Sequence, residues 1–114
     1  MKTIRVSYDR HEGRRDRRYP LPPLTLFIAL GRYTTVNWSL GGFLLAGYAE
    51  PAFAGQRLAG KLQINDRIEP VDFSAVVVRI NEPEPGNLAA QFVDLDDRTV
   101  TMLDRAIARR LFRR

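Results

Sequence analysis

LTLFIALGRYTTVNWSLGGFLLA, residues 24–46, is the stretch that decides the fold. It contains three short runs of apolar and β-branched residues, and breaks that contain glycine separate them. Runs of this kind bounded by turn residues are typical of β-strands, which average about five or six residues. We therefore predict strands and turns in this order: a strand at residues 24–30, a tight turn at Gly31 and Arg32, a strand at residues 33–38, a turn at residues 39–42 and a strand at residues 43–46.

The same pattern continues along the chain to residue 93. Three further strands are predicted at residues 57–64, 68–80 and 88–93, with a loop at residues 50–54 and turns at residues 65–66 and 82–87. Six short strands at this spacing predict an all-β fold. We expect a six-stranded antiparallel β-barrel, with a sandwich as the other arrangement of the same strands.

After residue 93 the period of the apolar residues changes. They recur at intervals of three and four, at Val100, Leu103, Ile107 and Leu111. This spacing places them on one face of a helix. Aspartates at positions 94, 96 and 97 are candidates for its N-cap, and arginines crowd its expected end, where cations are favourable. The sequence therefore predicts one C-terminal α-helix at about residues 96–112.

The first 23 residues differ from the rest because they are polar, rich in arginine and closed by prolines. Residues 3–8 alternate well enough for a short strand, whereas residues 9–19 are too charged to be buried and are expected to be flexible. The prolines fix an extended entry into the barrel. We therefore divide the chain into a basic N-terminal arm, residues 1–23, and a barrel with its helix, residues 24–114.

The composition excludes several kinds of site. The chain has no cysteine and one histidine, His11, which excludes thiolate chemistry and a multi-histidine metal site. No pair of carboxylates has a recognisable catalytic spacing, so we expect neither an enzyme nor a cofactor. The net charge of +5 favours an anionic partner, and almost all of the cations are arginines, whose planar guanidinium groups suit phosphates and guanine edges. Since no segment is apolar enough for a signal peptide or a transmembrane span, we expect a cytoplasmic protein.

Two motifs carry the chemistry. The first is RRDRR, residues 14–18, in which two arginines stand four positions apart, and the second is NWSLGG, residues 37–42. Together they resemble the signature of the PilZ domain family, which is Arg-x-x-x-Arg in an N-terminal arm followed by Asp/Asn-x-Ser-x-x-Gly on a barrel. The residues that match it are Arg14, Arg18, Asn37, Ser39 and Gly42.

The resemblance implies a bacterial receptor for the second messenger cyclic di-GMP. The arm arginines, with Arg15 among them, would close over the ligand, and the ordering of the arm would signal to a partner protein of the motility, exopolysaccharide or attachment machinery. PilZ domains often present a further basic residue from the long strand, here Arg79. Arg10 and Arg14 also have the four-residue spacing, and we prefer Arg14 and Arg18 because Arg18 lies closest to the prolines.

The residue types suit such a ligand. A guanidinium can grip the adjacent O6 and N7 acceptors of guanine with two hydrogen bonds, and it can also stack on the purine. The amide oxygen of Asn37 can accept hydrogen bonds from the N–H groups of guanine, and the hydroxyl of Ser39 can bind the ligand or the nearby backbone. Gly42 would let the backbone approach the ligand closely or adopt a positive φ.

Two other functions stay open at this point. One is a scaffold of the PilZ type that binds proteins without a ligand, and the other is a small basic barrel that binds nucleic acid. Trp38 is predicted to pack in or over the barrel rather than to stack on a base. One ligand molecule and a stacked pair are both compatible with Gly13 before the first arginine.

Overall fold

In this computed structural model, the chain is described over residues 17–112, and its side chains are described as far as Arg109. The predicted strand at residues 3–8 and the arginines at positions 14 and 15 lie outside the described residues. Six strands and one helix follow one another along the chain. They are β1 (Thr25–Ile28), β2 (Gly31–Ser39), β3 (Gly42–Leu45), β4 (Arg57–Gln63), β5 (Val71–Ile80), β6 (Leu88–Val93) and α1 (Asp97–Phe112).

The six strands form a closed barrel in the order β1-β2-β3-β6-β5-β4. Every neighbouring pair is antiparallel. Closure leaves no sheet edge with unpaired backbone groups. The predicted six-stranded antiparallel barrel with one C-terminal helix is therefore confirmed.

The barrel encloses a core of alternate strand residues. Leu26 and Ile28 of β1 are buried, whereas Thr25 and Phe27 are partly exposed, as the period of two in a strand requires. Trp38, the one tryptophan, is fully buried, as predicted. The rings of Phe43, Phe73 and Phe92 pack against one another, with centroids between 5.4 and 6.1 Å apart.

The predicted turn at Gly31 and Arg32 is wrong. Both residues belong to β2, where Gly31 pairs with Ile28 and Arg32 with Phe27. The turn falls on Ala29 and the fully exposed Leu30. Ala29 adopts a φ of +54°, which a two-residue hairpin turn requires. Gly31 serves packing instead, because a Cβ there would collide with the ring of Tyr33.

The long fifth strand begins later than predicted. Residues 68–70 lie outside β5, and the N–H of Ile68 donates to the carbonyl of Asn65, closing a turn. Pro70 has no N–H to contribute to the ladder, so the strand begins after it, at Val71. The predicted boundaries of the sixth strand match β6 at both ends.

The C-terminal helix begins beside Asp96, whose carboxylate accepts a hydrogen bond of 2.8 Å from the N–H of Thr99. This hydrogen bond is an N-cap. It is also the largest cause that lowers the pKa of Asp96 below its ordinary value. Leu103 and Ala106 bury the inner face of α1 against the barrel core. The predicted apolar face omitted Ala106.

Candidate ligand-binding site

The strand register brings Asn37 and Arg79 into one row across four strands. Asn37 of β2 pairs with Leu44 of β3, Leu44 pairs with Ala89 of β6, and Ala89 pairs with Arg79 of β5. Directly paired residues share a face of the sheet, and the next row along, which contains Trp38, belongs to the buried core. The row therefore faces outward. With strands about 4.8 Å apart, its two polar ends lie roughly 14 Å from each other.

Both ends of this row stand next to a β-bulge. The pairing of β2 with β3 shifts between Thr35 and Asn37, and the pairing of β5 with β6 shifts between Val77 and Arg79. A bulge re-aims the neighbouring side chain, and bulges are frequent beside functional sites. The two bulges therefore fix the directions in which Asn37 and Arg79 project.

A second outward row runs parallel to the first, two residues further along β2. It contains Ser39, Gly42, Gln91 and Val76, on β2, β3, β6 and β5 in turn. We call the eight residues of the two rows the ligand face. Its middle positions hold three small or apolar residues, Leu44, Ala89 and Gly42, together with the amide of Gln91.

Gly42 has a packing role that the structure makes explicit. A Cβ at this position would collide with the carbonyl oxygen of Ala90 in the neighbouring strand. Its φ is not among the positive values of the described glycines. Of the two roles expected for Gly42, the positive φ is therefore wrong. The glycine instead permits the close approach of β3 to β6.

Ser39 is buried, and its hydroxyl accepts a hydrogen bond of 3.0 Å from the N–H of Gly41. This bond closes the two-residue turn between β2 and β3. Of the two partners expected for the Ser39 hydroxyl, the structure therefore shows the nearby backbone. The hydroxyl hydrogen remains as a donor.

The chain before β1 is attached to β2 beside the ligand face. Tyr19 and Trp38 exchange two backbone hydrogen bonds, of 2.8 and 3.0 Å. The indole N–H of Trp38 donates to the carbonyl of Pro22 at 2.7 Å, and the Tyr19 and Trp38 rings are in contact. Arg18, the residue before Tyr19, donates a hydrogen bond from Nη1 to the amide oxygen of Asn37 at 3.4 Å.

The structure thus brings together one arginine of the first motif and the first residue of the second. Arg18 and Asn37 are in contact, and Ser39 and Gly42 lie in the adjoining row. Arg79 lies at the far end of the first row. Gln91 was not predicted as a site residue, because its position depends on the register of β6 against β3, which neither motif indicates.

A separate concave region lies away from the ligand face. A cleft of about 870 Å³ opens between α1 and the turn that joins β4 to β5, and Lys61, Ile68, Glu69, Met102 and Arg105 are among the residues that line it. We call this the helix cleft. Since β4 is the strand farthest from β3 in the barrel order, the cleft and the ligand face lie on different sides of the molecule. No helix within residues 17–112 is long and apolar enough to span a membrane.

Comparison with known proteins agrees with this geometry. A family model described as the PilZ domain matches residues 10–109. The solved structure of the Bacillus subtilis inhibitor of motility (MotI/DgrA) superposes with a TM-score of 0.69 at 20% sequence identity. That match covers 100% of this chain and 55% of the other, so this chain spans about half the length of its structural relative. At this identity the likeness shows the fold alone. No curated protein matches the sequence.

Proposed function

Because the chain belongs to the PilZ domain family, we propose that it is a receptor that binds cyclic di-GMP on the ligand face and signals to a partner protein. The observation that carries the proposal is the contact between Arg18 and Asn37. It joins the two halves of the family signature at one place on the barrel surface, although they are 19 residues apart in the sequence.

The anchor at Tyr19 and Trp38 explains why the arm arginines can serve this site. It holds the chain beside β2, so Arg18 emerges next to the first row of the ligand face. Arg14 is four residues upstream, so its backbone lies within about 14 Å of Arg18 even if the chain is fully extended. We propose that Arg14, Arg15 and Arg18 contact the phosphates and guanine edges of the ligand, which a guanidinium can bind with two parallel hydrogen bonds.

The bond between Arg18 and Asn37 is suited to exchange. At 3.4 Å it is longer than the usual N–H···O distance of about 2.9 Å, and Arg18 is exposed to solvent. A guanine could therefore take over both groups. Its O6 and N7 would accept from Arg18, and its N–H groups would donate to the amide oxygen of Asn37.

The rest of the ligand face complements this pair. Leu44 is half-buried between the polar ends and offers an apolar floor on which a purine face can lie, and Ala89 beside it is buried. Arg79 supplies a positive charge at the far end, suited to a phosphate or to a second base. None of the eight residues carries a negative charge, which suits an anionic ligand.

We propose a non-catalytic output through a partner protein. The structural relative is named as an inhibitor of motility, and motility machinery is one candidate for the partner here, beside exopolysaccharide and attachment machinery. The ordered arm and the bound ligand would together form the surface that the partner recognises.

Isothermal titration calorimetry with cyclic di-GMP tests the proposal. The chain should bind with a micromolar dissociation constant or tighter. An Arg18→Ala/Asn37→Ala variant should bind about 30-fold more weakly or worse, since the lost charged hydrogen bond of Arg18 costs about 1.5–3 kcal/mol and the lost neutral one of Asn37 about 0.5–1.5 kcal/mol. Arg105→Ala, which removes a guanidinium from the helix cleft, is the matched control and should bind normally. GTP should give no heat. Absence of binding by the unchanged chain, or equal binding by the double variant, would contradict the proposal.

A further inference from the structure

Gln91 occupies the centre of the ligand face and has no partner there. It is exposed on β6, and it pairs with Gly42 on one side and Val76 on the other. Within residues 17–112 its side-chain amide makes no hydrogen bond. The group is therefore accessible and keeps its full capacity to donate and accept.

Gly42 lies between Gln91 and Ser39 and has no side chain, and the carbonyl oxygen of Ala90 occupies the position that a Cβ there would take. The two residues stand on either side of the glycine in the same row, roughly 9.6 Å apart across two strand spacings. The hydroxyl of Ser39 is buried and already accepts from the N–H of Gly41. The amide of Gln91 is consequently the accessible side-chain polar group next to a ligand atom that lies over Gly42.

The surroundings of Gln91 favour a base over a phosphate. Its neighbours on the ligand face are Ala89, Gly42 and Val76, which carry no charge. Phosphates gain most from guanidinium groups, here those of Arg79 and of Arg18, which lies against Asn37, and a neutral amide is a weaker ligand for them. An amide presents an acceptor next to a donor, and the edge of guanine that carries O6 and N1–H presents the complementary pair.

We propose that Gln91 is a ligand-contacting residue whose amide hydrogen-bonds the O6 and N1–H edge of one guanine over Gly42. This inference rests on the proposed function, since it names a further contact in the same site. It also assigns the two ends of the face and its centre different tasks. Arg18, which lies against Asn37, and Arg79 supply positive charge at the two ends, and Gln91 supplies a neutral amide that reads a base.

The test compares Gln91→Leu with the unchanged chain in cyclic di-GMP titrations. Leucine keeps a side chain of similar size and removes both polar groups, so affinity should fall about tenfold. Because Gln91 is exposed and forms no hydrogen bond in the described chain, the melting temperature should stay unchanged. Gln63→Leu on β4, whose amide donates to the Ile68 carbonyl away from the ligand face, is the control for affinity, which should equal that of the unchanged chain.

A nitrogen-resolved NMR spectrum gives a direct second readout. The Gln91 side-chain amide resonance, identified by its loss in Gln91→Leu, should shift on addition of cyclic di-GMP, and the Gln63 amide should not. If the unchanged chain binds while Gln91→Leu binds equally well and the amide does not shift, the inference is wrong and the receptor function stands. If the unchanged chain does not bind, the proposed function fails and the inference fails with it.

Discussion

The ligand face and the helix cleft are opposite kinds of surface, although both contain arginine. The helix cleft is the larger concavity, but its charges are mixed. Lys61 pairs with Asp72 at 2.7 Å, and the charge of Arg98 helps to lower the pKa of Asp96. The ligand face combines the exposed guanidinium of Arg79, the half-buried amide of Asn37 and the apolar side chain of Leu44. Concave volume and charge therefore point to different sides of the barrel.

The two regions also differ in what supports them. The ligand face depends on backbone packing between β3 and β6 at Gly42, where no side chain fits. The wall of the helix cleft depends on the first turn of α1, whose capping residue Asp96 is exposed to solvent. Substitution of Gly42 should therefore destabilise the fold more than substitution of the capping residue Asp96.

The largest effect is expected for Gly42→Ala. The added Cβ would collide with the Ala90 carbonyl, so β3 and β6 must separate, and overpacking of this kind costs about 1–3 kcal/mol or more in the free energy of unfolding. Chemical denaturation measures the loss. Gly55→Ala is the control, because Gly55 has a φ of +94° with open space around it, so that variant has backbone strain without a collision. A Gly42→Ala variant as stable as the unchanged chain would refute the packing role of this glycine.

The fold could be predicted because its signals are local. The period of two in the strands and the period near 3.6 in α1 are visible in the sequence, and they give the number and type of elements. The first turn was misplaced because glycine was taken as a turn signal, whereas burial of Leu26 and Ile28 sets the end of β1 and moves the turn to Ala29.

The site was predictable only in part. The motif residues could be found by their spacing, and Arg18 indeed lies against Asn37. Gln91 could not be found, because its place beside Gly42 depends on the pairing of strands that are distant in the sequence. The position of Arg79 opposite Ala89 depends in addition on the extra residue at the β5 bulge, which no periodicity indicates.

A smaller effect is expected for Asp96→Ala at the helix cleft. The variant loses the N-cap, so its melting temperature should be a few degrees lower at pH 7. Since the folded protein lowers the pKa of Asp96, the carboxylate stabilises the fold fully above its ordinary pKa of about 3.9, and the contribution disappears as the pH falls through the lower folded pKa. The difference in melting temperature between the two proteins should thus be constant from neutral pH to about pH 5 and shrink below about pH 4. A difference that grows on acidification would contradict this assignment.

The smallest effect is expected for Thr101→Trp, which fills the helix cleft from the exposed side of α1. If ligand recognition belongs to the ligand face, the affinity for cyclic di-GMP should stay within about twofold of the unchanged chain, because surface substitutions away from a site change free energies by only about 0.5 kcal/mol. The matched variant Leu44→Trp adds the same ring to the floor of the ligand face, where it should block binding sterically. The comparison between the two regions fails if the effects are reversed. Loss of binding in Thr101→Trp together with normal binding in Leu44→Trp would move the ligand to the helix cleft, with the arginines of α1 as its phosphate contacts.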